Sequence, residues 1–187
     1  MGNQIKRTVG TQICFADHTT DFNPTAANDL TQGVPTEVQL DTTDLADGAA
    51  RQSVKVDLGE QRAPAYTVMC ALELAATPTA GDYVEFYWNP SPDSTAANGN
   101  CGGCSGADAA YAGYNSNLGE GVKHLQFIGN HICSDDPTTY IQISLVGVFS
   151  PACRFGSLVV KNESAAAFHS DAVETHVVFI PIYDEVE

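Results

Sequence analysis

Apolar and polar positions alternate with a period of two through most of this chain, the pattern of strands that turn one face to a core. Val54, Val56 and Leu58 interleave with Ser53, Lys55 and Asp57, and Val68, Cys70, Leu72 and Leu74 interleave with Thr67, Met69, Ala71 and Glu73. Residues 82–88 place Val84, Phe86 and Trp88 on one side, with β-branched and aromatic residues throughout and Asn89-Pro90 closing the strand. Residues 140–148 repeat the pattern of a half-buried strand, with Ile141, Ile143 and Leu145 opposed to Gln142 and Ser144. Further strands are predicted over 123–128, 157–161 and 175–183, and weaker ones over 8–15 and 37–40.

These segments are separated by Gly, Pro, Asn and Asp clusters, and no long helix of period 3.6 alternates with them. The expectation is an all-β chain, an antiparallel β-sandwich of jelly-roll-like form, folded as a single domain over residues 1–187 with an N-terminal arm of about 1–35. Residues 25–30 and 164–173 read as connections. Residues 89–121, rich in Gly, Ala, Ser and Asn, form one long loop, and loops beyond about 15 residues tend to be functional.

The 187 residues, 43% of them hydrophobic, suffice for a core without disulfides or a metal. With 8 basic and 23 acidic side chains the net charge is −15, which argues against direct nucleic-acid binding, because phosphate contact depends on Lys and Arg. No run of about 18 apolar residues exists to span a membrane, and the N-terminus lacks the apolar core of a signal peptide. Synthesis in a cytoplasm is expected.

Cys101-Gly102-Gly103-Cys104 is the local motif most open to chemistry. A redox role would want it at a helix N-terminus after a strand, whereas here it lies in a polar loop. A disulfide between Cys101 and Cys104 would stiffen that loop. Cys101, Cys104, His131 and Cys133 could together supply four zinc ligands, but the pairs are further apart than in common zinc motifs, so no metal or cofactor is expected. Cys14 and Cys70 suit small core thiols. Asp41, Asp44 and Asp47, three apart near Gly48, lack the EF-hand ligand pattern and fit a solvated turn. Glu73 and Glu85 are candidates in principle for a two-carboxylate hydrolase, although outward acids on half-buried strands are far commoner. Tyr87, Tyr111 and Tyr114 border or occupy the long loop and are the candidate interaction residues, able to stack on sugars or anchor a protein partner. Trp88, level with Val84 and Phe86, belongs to the core.

Gln52-Ser53-Val54-Lys55-Val56-Asp57-Leu58-Gly59, Thr77-Pro78-Thr79-Ala80-Gly81-Asp82 running into Phe86-Tyr87-Trp88, Val146-Gly147-Val148-Phe149-Ser150-Pro151 and Phe168-His169-Ser170-Asp171-Ala172-Val173-Glu174 resemble small virion structural proteins of tailed bacteriophages. The likeness extends from about Thr8 to Glu187 and is to head decoration, or cement, proteins. It implies a non-enzymatic protein on the exterior of the capsid, bound to the major capsid protein as a homo-oligomer, a trimer or dimer, and made in the bacterial host cytoplasm. It carries over no active residues. The alternative is a host-recognition or carbohydrate-binding module of a phage tail or fibre, using the tyrosine-bearing loop.

Overall fold

The structure is a computed structural model that describes residues 5–135 and 141–186. The start of the expected strand at Tyr140 and the first four residues of the arm lie outside the described residues. In chain order the strands are β1 (Ile5–Val9), β2 (Ile13–Ala16), β3 (Thr36–Gln39), β4 (Ala50–Gln52), β5 (Val56–Asp57), β6 (Ala65–Glu73), β7 (Tyr83–Ser91) and β8 (Ala109–Ala110). A one-turn helix, α1 (Leu118–Val122), precedes β9 (Gln126–Ile132), β10 (Ile141–Phe149), β11 (Phe155–Glu163) and β12 (His176–Val186).

They form two sheets packed as a β-sandwich. The first has the order β10-β6-β12-β2-β3, with β1 continuing beside β12 beyond β2; the second has the order β8-β4-β11-β7-β9, with β5 also on β11. Every pairing is antiparallel except β2 with β3. The expected N-terminal arm is thus woven in: its residues 5–16 add strands to the first sheet, and residues 17–35 cross that sheet's outer side.

Aromatic packing joins the layers. Phe179 of β12 has ring centroids 4.7 Å from Phe15, 5.1 Å from Phe149 and 5.8 Å from Trp88, the last reaching over from β7. Val84, Phe86 and Trp88 are fully buried, as the alternation predicts. Opposite Pro90, Gly156 leaves room for the indole: a Cβ there would run into Trp88. The strand also passes through Asn89-Pro90 to Ser91 rather than closing at them.

Strand β10 reverses its expected orientation. Gln142 and Ser144 face inward, opposite Leu72 and Cys70, while Ile143, Leu145 and Val148 are 43%, 61% and 59% exposed. The inward polar groups are satisfied locally. Ser144 Oγ lies 2.8 Å from His131 Nδ1, and Gln142 accepts from the Ser134 backbone N–H and hydroxyl and donates to the Ser134 carbonyl. A bulge between Leu145 and Gly147 then resets the register, so that Phe149 rejoins the core opposite Tyr66.

Phe179→Ala should cost about 3–5 kcal/mol by emptying the inter-sheet core, whereas Leu145→Ala should change stability by no more than about 0.5 kcal/mol. Urea unfolding of both variants checks this, and an equally large loss for Leu145→Ala would contradict the outward orientation of β10.

Candidate interaction surface

Both sheets bear apolar side chains on their outer sides as well, and each carries a cover. On the second sheet, residues 92–125 fold back over β7, β11 and β4. Cys101, Cys104, Tyr111, Leu118, Val122 and Leu125 pack there on Ala50, Tyr87 and Val159 to form a satellite core. Polar pins fix this cover. Lys55 Nζ donates to Ser91 Oγ (2.9 Å) and to the carbonyls of Asp93 (3.1 Å), Thr95 (2.8 Å) and Asn98 (2.6 Å). Burial lowers the Lys55 pKa, partly offset by Asp93, while the four oxygens hold its ammonium in place. Gln52 and Asn89 accept from the backbone N–H groups of Ser105 and Cys101, both at 2.8 Å. Asn117 caps α1 by accepting from the Glu120 N–H.

The three tyrosines accordingly do different things. Tyr111 is 3% exposed and donates its hydroxyl proton to the Gly102 carbonyl at 2.7 Å, which makes it the pillar of the cover. Tyr87 lies beneath the cover, with its ring edge-on to Phe127 at 5.4 Å. Tyr114 is 48% exposed, beside His124 at 5.3 Å. A groove of about 410 Å³, lined by Glu85, Tyr87, Val122, Lys123, Leu125 and Phe127, runs between the cover and β9.

The motif cysteines belong to the same satellite core. All six cysteines are free thiols, and burial pushes the Cys104 thiol up to about 12, which leaves little thiolate for nucleophilic chemistry. The four proposed zinc ligands do not converge. Cys101 and Cys104 sit over the outer side of the second sheet, whereas His131 pairs with Val84 on its inner side and Cys133 is buried just beyond β9. Among the described residues no group of three potential ligands forms a metal site. The alternation does place His131 and Cys133 on one side; a sheet separates them from the loop.

The candidate acids lie apart from one another. Asp41 pairs with Arg51, which also contacts Asp108 at 2.7 Å, and Asp47 accepts from the Ala165 N–H, so Asp41 and Asp47 brace the 41–47 segment. Glu73 stands opposite Ile141 on the outer side of the first sheet, and Glu85 binds Lys161 at 2.9 Å on the outer side of the second. The two carboxylates therefore cannot act on one bond.

On the first sheet the cover is partial. Residues 17–35 place Phe22 and Leu30 on Cys14, Ala16 and Val178, near Ile180. Cross-strand rows carry the apolar surface on past its edge. One row runs Cys14, Val178, Met69, Leu145, from fully buried to open, and another runs Ile180, Thr67, Val148. Val9, opposite Ile182, extends the open part. At its end lies a depression of about 330 Å³ lined by residues including Arg7, Val148, Ile182 and Asp184, with Arg7 and Asp184 3.7 Å apart. Ile143, Leu145 and Val148 on β10, with Val9 across two intervening strands on β1, thus leave an apolar window on the outer side of the first sheet in a strongly acidic protein. Sequence reasoning misses it because it assigns these β10 side chains to the core.

Comparisons with protein-family models, with curated proteins and with solved structures find no match to this chain.

Replacing Lys55 by Met keeps the aliphatic stem but removes the donor shared by the Asp93, Thr95 and Asn98 carbonyls, leaving the Ser91 hydroxyl to serve at most one of the Asp93 and Asn98 carbonyls. Cleavage by a nonspecific protease within residues 92–100 should rise roughly tenfold, since cleavage tracks local opening. An unchanged cleavage rate would mean that the lysine does not secure the cover.

Proposed function

We propose that this protein is a non-enzymatic virion structural protein of a tailed bacteriophage, a decoration protein that binds the outer capsid surface and stabilises the shell. The observation that carries the reading is the apolar window on the first sheet: Ile143, Leu145, Val148 and Val9 held outward on a rigid sheet. Clustered exposed apolar side chains on the outer side of a sheet mark a protein contact. The partner is the major capsid protein, with sister copies as a dimer or trimer completing the cover. The −15 charge elsewhere favours solubility and discourages contact with nucleic acid.

A second reading, recognition of a host glycan, is favoured by the exposed Tyr114 ring beside His124 and by the groove on the second sheet, where the exposed Phe127 ring borders Lys123 and Glu85. Tyr114→Ala would abolish glycan binding in that case and leave particle binding intact.

The protein should co-sediment with capsids lacking it and raise their resistance to heat and low salt. Leu145→Asp combined with Val148→Asp should reduce binding at least about 100-fold, through loss of hot-spot contacts and a buried charge, while the melting temperature stays within about 2 °C. Failure of the wild-type protein to bind any capsid, or full binding by the double variant, would refute the assignment.

A further inference from the structure

The cover on the first sheet is fastened by a polar latch whose chemistry depends on protonation. His176 is 1% exposed and uses both ring nitrogens: Nδ1 donates to the Glu174 carbonyl at 2.8 Å, and Nε2 accepts from the Leu30 backbone N–H at 3.0 Å. Because Leu30 can only donate, Nε2 must carry a lone pair, so the latched imidazole is neutral. Two residues away, the Glu174 carboxylate accepts from the Thr25 N–H with both oxygens at 3.1 Å. The Phe22 ring lies between two imidazoles, 5.0 Å from His18 and 5.1 Å from His176. Beneath them are Cys14, Ala16 and Val178.

We propose that residues 17–35 are an acid-released cover, latched by neutral His176, whose opening adds the Cys14, Ala16 and Val178 surface to the apolar window of the first sheet. A proton on Nε2 would set one N–H against another at Leu30, and the contact that closes the cover would become repulsive. The ionisable neighbours pull in both directions. Burial lowers the His176 pKa and His18 lowers it further, while Asp29 on the cover and Glu174 on its own segment raise it. The cross-strand neighbours Ala71 and Ala16 carry no charge. The sign follows from the lowered value in the closed state. The open cover takes up the proton more readily, so the latch is at full strength above the ordinary histidine value of 6.5 and weakens as pH falls below it. The latch belongs to this chain alone and stands whether or not the window docks on a shell.

Cys14 reports the opening, because it is fully buried under the cover, and Cys70, fully buried between the sheets, reports global unfolding. The wild-type protein is treated with 4,4′-dithiodipyridine and each cysteine is mapped by mass spectrometry, with rates normalised at each pH to the urea-unfolded chain. Between about pH 7.5 and pH 5 the normalised Cys14 rate should rise at least about tenfold, while Cys70 stays protected. His176→Gln, whose amide can donate to Glu174 and accept from Leu30 without titrating, should flatten that response. Amide exchange at Leu30 and Thr25 of the wild-type protein, corrected for intrinsic pH dependence, should show the same acid-induced opening without any substitution. A Cys14 rate indifferent to pH, a response that persists in His176→Gln, or exposure of Cys14 and Cys70 together would overturn the proposal.

Discussion

Two sheets that carry apolar side chains on both sides place one demand on everything else in this fold. In β12, Val177 and Phe179 enter the core while Val178, Ile180 and Ile182 point outward, so packing the sheets together buries only half of the strand's apolar surface. An antiparallel sheet with a solvated side would carry polar residues at those outward positions. Here a second layer is required. The 92–125 and 17–35 segments supply it, one on each side of the sandwich.

The covers are short of regular structure, so polar pins must hold what strand ladders hold elsewhere. Lys55 gathers the carbonyls of Asp93, Thr95 and Asn98, and Gln52 and Asn89 fasten the motif loop. On the opposite side, Gln12 accepts from the Gln32 N–H, Val173 from the Asn23 N–H, and Glu174 and His176 from Thr25 and Leu30. An unmade hydrogen bond in such a site costs about 1–3 kcal/mol, comparable with the burial of one aliphatic side chain. Each cover is thus secured by a few specific groups, and a change at one of them acts locally while the aromatic core around Phe179 stays intact.

Legibility in the sequence follows the same division. The inward sides of β6 and β7 were readable because Val68, Cys70, Leu72, Val84, Phe86 and Trp88 alternate with more polar neighbours, whereas the expected single loop over 89–121 in fact holds the end of β7, β8 and most of α1, elements too short to leave a periodic pattern. The orientation of β10 was not readable, because period two says that two sides differ without saying which is inside. His131 and Ser134, contributed by β9 and the residues just after it, decide it by giving Ser144 and Gln142 hydrogen-bond partners. The separate duties of Tyr87, Tyr111 and Tyr114 depend on where the loop folds back, which no local pattern encodes. The zinc grouping fails for a related reason: sequence shows that His131 and Cys133 share a side, but not that a whole sheet stands between them and Cys101. His176 looked like one of five scattered histidines, and only the tertiary approach of Leu30 gives it a purpose.

The uncovered window lies where the partial cover stops, and electrostatics makes that location matter. Self-repulsion at a net charge of −15 opposes close approach by acidic surfaces, so contact is least hindered where side chains are apolar and charges such as Arg7 and Asp184 offset one another. A fully buried Leu or Val contributes about 1.5–3 kcal/mol, so this handful of side chains supports a modest contact once the entropy of association is charged against it. On a shell that repeats its binding site, a modest contact per subunit becomes secure when sister copies are linked, because each further attachment is intramolecular. That is the setting in which the proposed decoration role would place this sandwich. In that setting the acid-sensitive cover, on the same sheet as the window, would set how much apolar surface the array can use.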